Sequence, residues 1–461
     1  PKLNACLSIR MVEENMKKSS QKWVYTFVVS AAVMALVVLL VSPAAVAANA
    51  MDIIKKIAGE KMDKLVKIED PTNSLDRFYA SLAQTAAGNG ITRIAHYGDS
   101  IVEMDRIAGQ MRRRMQTAWG DAGHGFVLAS RPQPWYRPMD LSFDPSSKWI
   151  CMTLNDKSIR DKRVGYAGVY AVSYKSKADT EIGTARESNI GRGVSRFEIL
   201  YPVEPGGGPV EVSVDGRKVG TFNTNGSPAD AYTVIEVPDG EHKLEMRAMN
   251  EGTRLYGVIL ERKNAGVVYD SLGINGTGVR YWLQADTAHW IKMIKHRNPH
   301  LIVLGYGNNE ARAGDSLDLA AYRSNLKAVV TLLRDNLPNT PILLLGPIDQ
   351  AKKKGTALDS IEVIAKIVTV QQEVAKELGV AFYNNYEAMG GRGSMAQWYM
   401  ARPRLGAGDL MHPTEPGGAV LGDRFYTSLM NGFKTYLQRE GLNKARAAQY
   451  PSQLQKVELT R

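Results

Sequence analysis

Two textures alternate along this chain. Residues 91–97 form an apolar run that reads as a strand, and Met104, Ile107, Ala108, Met111 and Met115 follow at helical spacing, with Gly120 as the stop. Between about 151 and 263 apolar and polar residues instead alternate in short segments, at 169–174, 197–201, 210–214, 232–237, 244–249 and 255–260. Turn signals separate them: Pro205-Gly206-Gly207-Gly208, Asp215-Gly216 and Asp239-Gly240. Asp215-Gly216, flanked by Val214 and Arg217, predicts a two-residue hairpin. Six or more strands so spaced predict a β-sandwich. After Ala265, short apolar strands at 267–269, 301–305, 342–345 and 380–383 alternate with helical segments. The last helix opens near Pro416 and carries Val420, Leu421, Phe425, Leu429, Phe433 and Leu437. Such alternation predicts a parallel sheet covered on both faces. The expected fold class is therefore α/β: a three-layer α/β/α domain with a parallel sheet, interrupted by an inserted all-β sandwich. Its divisions fall at 1–50 (N-terminal extension with a signal peptide or anchor), 51–145 (first part of the α/β domain), 146–264 (the insert, a candidate carbohydrate-binding module) and 265–461 (second part). Residues 51–88 read as helical and lead into the first strand.

Composition changes this picture at a few points. Lys17, Lys18 and Lys22 precede an apolar stretch from 23 to 41 and then Ala45-Val46-Ala47, the order of an export signal cleaved after Ala47 or Ala50. The apolar stretch is nearly long enough to span a bilayer, so membrane attachment through an uncleaved segment is the alternative. Either way the chain is expected to be exported, to the periplasm or cell envelope. Cys6 lies in the extension, leaving Cys151 without an internal disulfide partner and expected as a small apolar filler. The 461 residues carry 58 basic and 47 acidic side chains, a net charge of +11 that favours anionic partners such as wall polymers or lipid headgroups. Arg112-Arg113-Arg114 is expected on the solvent face of the helix after Ser100. No RNA-type stacking motif occurs, and nucleic acid is not expected as a partner.

Candidate chemistry centres on Gly98-Asp99-Ser100, where the first strand meets a helix. A serine at such a turn exposes its hydroxyl beside free helix N–H groups. A second copy, Gly314-Asp315-Ser316, follows no strand and precedes a helical pattern, so Asp315 or Ser316 is expected as an ordinary helix cap. A serine hydroxyl needs a base. Of seven histidines, three follow an Asp by three residues: Asp121-His124, Asp286-His289 and Asp409-His412. In that spacing the carboxylate can fix the Nδ1 proton and leave Nε2 for the serine. Asp286-His289 lies within a helical pattern and Asp121-His124 in a Gly-rich loop. Asp409-His412 sits before a helix where it can overhang the sheet's carboxyl edge, the usual place for an α/β active site. Two strand exits, Gly273-Ile274-Asn275-Gly276 and Gly307-Asn308-Asn309-Glu310, offer oxyanion donors from backbone and amide groups. Pro299 separates His296 from His300, and neither a metal nor a cofactor is expected.

Taken together, Ser100, Gly276, Asn309 and Asp409/His412 stand in the order that marks the SGNH (GDSL-type) hydrolases, and the chain resembles that family over most of its length after about residue 75. The stretch His96-Tyr97-Gly98-Asp99-Ser100, the loop Gly120 to Phe126 and the block Asp409 to Gly418 carry the likeness, and the chain resembles envelope peptidoglycan and polysaccharide O-acetylesterases with an inserted β-sandwich. The resemblance implies Ser100 as nucleophile, His412 as base and Asp409 as its orienter, with Ser100 N–H, Gly276 N–H and the Asn309 side chain as the oxyanion hole. Glu310 stands where the family has Asp, and Gly273 competes with Gly276 for the oxyanion role. The implied activity is removal of acetyl groups from an acetylated glycan. A polysaccharide O-acetyltransferase using the same acyl-enzyme, or a non-catalytic glycan-binding protein, are the alternatives. Trp135-Tyr136 could stack on sugar rings or fill the core.

Overall fold

The computed structural model describes residues 65–449; the export-signal pattern lies outside them. Five parallel strands build the central sheet: β1 (Ile91–Gly98), β2 (Gly266–Gly273), β3 (Leu301–Gly305), β4 (Ile342–Leu345) and β5 (Ala381–Tyr383), in the order β2-β1-β3-β4-β5. Their side chains alternate between two apolar layers, as period-two geometry requires. Ile94, Val267, Leu301 and Val303 face one layer, and Ala95, Leu272, Ile302 and Leu304 face the other. The helices in chain order are α1 (Asp76–Ala86), α2 (Ser100–Glu103), α3 (Arg106–Trp119), α4 (Thr287–Arg297), α5 (Leu319–Asn336), α6 (Val363–Leu378), α7 (Asn385–Met389), α8 (Ser394–Met400) and α9 (Glu415–Gln449). α1, α3 and α9 cover the first face; α4, α5 and α6 cover the second. The three-layer α/β/α class is thus the observed one.

The β-rich block forms antiparallel sheets around a separate apolar core that includes Phe197, Ile199, Val210, Leu244 and Val258. One sheet runs Ala229–Gly240, Val194–Val203, Gly257–Glu261, Gly125–Leu128; another runs Leu141–Pro145, Ala178–Thr184, Lys243–Ala248, Pro209–Val214, Arg217–Asn223. The antiparallel pairing therefore starts at Gly125, ahead of residue 146, because Gly125–Leu128 pairs with Gly257–Glu261. The chain leaves the α/β layers and returns at neighbouring points: Val267 N–H donates to Gly120 O at 2.9 Å and Arg262 N–H to Ala122 O at 2.8 Å. The two parts also share a core, in which Tyr97 of β1 packs edge-on against Tyr166, Trp282 and Trp290.

Several expectations need correction. Residues 65–75 are not helical; Glu69 bridges to Phe382 beside β5, and α1 begins only at Asp76. The helix after Ser100 is split, because Asp105 takes a left-handed conformation (φ 55°) between α2 and α3. Its carboxylate accepts both Arg112 terminal nitrogens, at 3.0 and 2.9 Å, and Met139 N–H at 2.8 Å. Arg112 is accordingly buried instead of facing solvent, since a charge paired in both directions can be desolvated. Arg113 pairs with Asp140, and Arg114 lies over the Tyr426 ring. The helix α5 is capped by Asp318, which accepts Ala321 N–H, and not by Asp315 or Ser316.

Candidate active site

The seat of Ser100 is a row of glycines. Gly98 at the end of β1 is in register with Gly273 of β2 and Gly305 of β3. A Cβ on Gly273 would lie 1.9 Å from Glu103 N, and one on Gly98 would lie 2.3 Å from Val102 Cγ2. Only hydrogen at these positions lets α2 lie directly on the sheet's carboxyl edge. Gly273 is spent on that close approach and closes β2. Gly276, by contrast, is exposed with φ 72° on the loop beyond it.

Asp99 caps α2, accepting Ile101 N–H at 2.9 Å, and its second oxygen accepts Asn308 Nδ2 at 3.0 Å. Burial pushes its carboxyl up to about 6, against those bonds. Ser100 opens the helix, where the first amides have no intrahelical acceptor. Its Oγ lies 2.8 Å from His412 Nε2, although 312 positions separate the two residues. His412 Nδ1 is 2.6 Å from Asp409 Oδ2. Asp409 Oδ1 accepts Met411 N–H at 3.0 Å and His412 N–H at 3.1 Å, a turn that Leu410 allows with φ 61°. Partial burial opposes the Asp409 charge, but the His412 ring and these two amides outweigh it and hold the carboxyl well below its usual range. The structure therefore brings Ser100, His412 and Asp409 into one hydrogen-bonded chain.

Asn309 and Gly276 lie together in the wall of an adjoining cleft of ≈ 440 Å³, with Arg280, Tyr281, Glu310 and Arg312. Asn309 Nδ2 gives one hydrogen to Thr277 O at 3.0 Å and keeps the second. Glu310 joins the two loops, accepting Val279 N–H and Gly307 N–H, both at 3.0 Å; burial pushes its carboxyl up to about 7. The Asp-to-Glu departure thus has a local job: its longer arm straps both loops.

The other histidines are engaged elsewhere. His289 Nε2 accepts Gly165 N–H at 3.0 Å, while Asp286 caps α4. His124 is buried, and Asp121 accepts Gly123 and Gly191 amides. His296 stacks on Tyr232 and meets Glu198 at 2.6 Å. Ser316 Oγ turns back to Ala313 O at 2.7 Å. Among the described residues no group of three or more His, Cys, Asp or Glu gathers as a metal cluster. Tyr136 is buried, with Leu128 N–H donating to its hydroxyl at 3.2 Å, whereas Trp135 is 43% exposed.

Sequence reasoning passed over Glu103. It lies one turn after Ser100 on α2, is 2% exposed, and accepts the Trp135 indole N–H at 3.2 Å. Burial pushes its carboxyl up to about 7, with the Asn275 amide, His412 and Asp99 nearby. Its spacing of three from the nucleophile was the available signal, since residues i and i+3 share a helix face.

The GDSL-like lipase/acylhydrolase family model matches residues 240–420. That stretch holds Gly276, Asn309, Asp409 and His412, and stops short of Ser100, which the inserted strands separate from it. A solved peptidoglycan O-acetylesterase superposes with TM-score 0.67 at 22% identity, covering 80% of this chain and 99% of its own. The α/β domain thus has the SGNH hydrolase fold of that solved structure, and residues 240–420 of the chain are similar to the GDSL-like family. Weaker matches include Axe2, an acetylxylan esterase from Geobacillus stearothermophilus (19% identity, 36% of this chain, 73% of that chain, TM-score 0.28). A family two carbohydrate esterase from Clostridium thermocellum, in complex with cellohexaose, matches at 15% identity over 61% of this chain and 98% of its own, TM-score 0.28. No curated protein matches the chain.

Proposed function

We propose that the protein is an exported serine esterase that removes O-acetyl groups from a cell-envelope polysaccharide, peptidoglycan foremost. One observation carries the chemistry: the continuous chain from Ser100 Oγ through His412 to Asp409, at 2.8 and 2.6 Å. In this reading Ser100 Oγ attacks the acetyl carbonyl as His412 Nε2 takes its proton. The oxyanion that forms is met by Ser100 N–H, Gly276 N–H and the spare hydrogen of Asn309 Nδ2. The imidazolium returns its proton to the departing sugar oxygen. Water, deprotonated by the same imidazole, then cleaves the acetyl-enzyme, and acetate leaves with Ser100 restored. Asp409 stays ionised throughout and holds the ring.

The polysaccharide and the destination rest on different grounds. The solved peptidoglycan O-acetylesterase covers four-fifths of this chain, insert included, which favours an acetylated glycan over a lipid ester. The basic and apolar order of residues 16–47 favours export. The test is acetate release from O-acetylated peptidoglycan and turnover of p-nitrophenyl acetate, each compared with Ser100→Ala. Loss of both by at least about a thousandfold is expected. Equal rates in variant and parent would remove Ser100 from the reaction, and acetyl appearing on added glycan without free acetate would reassign the protein as a transferase.

A further inference from the structure

The carboxyl edge of the sheet carries a second group of residues that acetyl hydrolysis does not use. Between β4 and α6 the chain projects as a hairpin, with Ala351–Lys354 paired to Ala357–Ser360. Lys352, Lys353 and Lys354 are exposed, and among the described residues none meets a carboxylate. Asp359, opposite Lys352, reaches Arg392 instead, as does Glu362. The hairpin is fastened to the loop that bears the base: Ala351 N–H donates to Leu410 O at 2.9 Å, and Ile348, Ala351 and Leu410 share an apolar cluster with Ile101 of the nucleophile helix.

The same loop has cations on its other flank. Arg402 and Arg404 are exposed; Arg402 donates to the Met400 and Ala401 carbonyls, and Arg404 lies 4.5 Å from the Tyr399 ring centre. Thr414, two residues past His412, donates its hydroxyl to Arg404 O at 2.6 Å and so ties that flank to the base. Asp409, the exposed carboxylate between the two flanks, is committed to His412. Five cations thus border the base, and among the described residues none of them forms an ion pair. Like charges held together this way attract an anion to the site and raise its local concentration.

We infer that Lys352, Lys353, Lys354, Arg402 and Arg404 form a binding shelf for the carboxylates of a glycan polymer, so that the substrate class is an acidic, O-acetylated polysaccharide. The inference rests on the esterase reading above. A chain lying along the loop would engage cations on either side of the acetyl group being cleaved. A polymer fits better than a lipid surface: Met400 is the one large apolar side chain exposed on these segments, whereas interfacial binding couples basic residues to several buried apolar ones.

The test compares the purified protein with its K352Q/K353Q/K354Q variant on insoluble O-acetylated peptidoglycan, native or with its carboxylates amidated, and on p-nitrophenyl acetate. The variant should keep the small-ester rate. It should lose about tenfold in kcat/KM on native polymer, mostly through KM, and pellet less with it. Amidation should abolish the difference between variant and parent, and added salt should shrink it. Equal pelleting and acetate release by the two proteins on native polymer overturns the shelf. So does loss of binding confined to vesicles of anionic phospholipid, which would make it a membrane contact. No small-ester turnover by the parent would overturn the esterase reading instead, and pelleting would still decide the shelf.

Discussion

Glu103 gives the sharpest physical test, because its cost is set by one titration. Its carboxyl is pushed by burial from 4.5 to about 7, while an unfolded chain leaves it near 4.5. Between those values the folded protein holds a proton that the unfolded protein releases, so stability falls as pH rises through the window. The gap, at about 1.4 kcal/mol for each pH unit, amounts to about 3 kcal/mol at most. Below pH 4.5 both states are protonated and the contribution is fully favourable; above 7 both are ionised and it is lost. Glu103→Gln keeps an oxygen for the Trp135 indole and removes the titration. Urea unfolding of parent and variant, followed by tryptophan fluorescence from pH 4.5 to 8, isolates the effect as a difference curve. The variant should gain steadily on the parent across the window and level off above it. A difference that stays flat, or falls with pH, would show that Glu103 ionises freely in the folded protein, and the burial argument would be wrong.

Asn309→Ala should lower kcat on p-nitrophenyl acetate by about a hundredfold to a thousandfold while KM and the melting temperature move little, if its amide meets the oxyanion. Arg297→Met should destabilise by about 3–5 kcal/mol in denaturant titration, since it strips the buried Asp270, bonded at 2.7 and 3.1 Å, of its counter-charge and leaves Glu261 with Arg93 alone. Gly273→Ala should cut activity and melting temperature together, because the new methyl meets the Glu103 backbone, which no rotamer can relieve. Ser316→Ala, in the second Gly-Asp-Ser copy, should leave steady-state rates unchanged.

Much of this architecture is legible in the hydrophobic pattern. Leu301–Gly305 and Ile342–Leu345 read as strands because both faces are buried and nearly every position is apolar. Asp215-Gly216 reads as a turn because both residues accept positive φ, as they do here at 50° and 77°. The Ser100, His412 and Asp409 grouping was reachable through context, from strand ends and Asp-x-x-His spacing. What failed depends on partners distant in sequence. Gly125–Leu128 is four residues long and looks like loop until Gly257–Glu261 supplies its neighbour. Arg112 looks like surface because its local pattern shows a charge, not the Asp105 carboxylate folded beneath it. Glu103 shares a helix face with the nucleophile by spacing alone, but its burial appears only once the glycine row has brought α2 down onto the sheet.

The meeting of the insert's two ends, and the apolar layer in which Tyr97 and Tyr166 interlock, bear on how the molecule comes apart. A sandwich carried on stalks could melt alone and leave the α/β part standing. Here the Arg297 guanidinium binds Glu261 at the end of the sandwich and Asp270 in the central sheet at once. Neither half can lose its shape without stripping the other, so the two should unfold cooperatively, in one calorimetric transition.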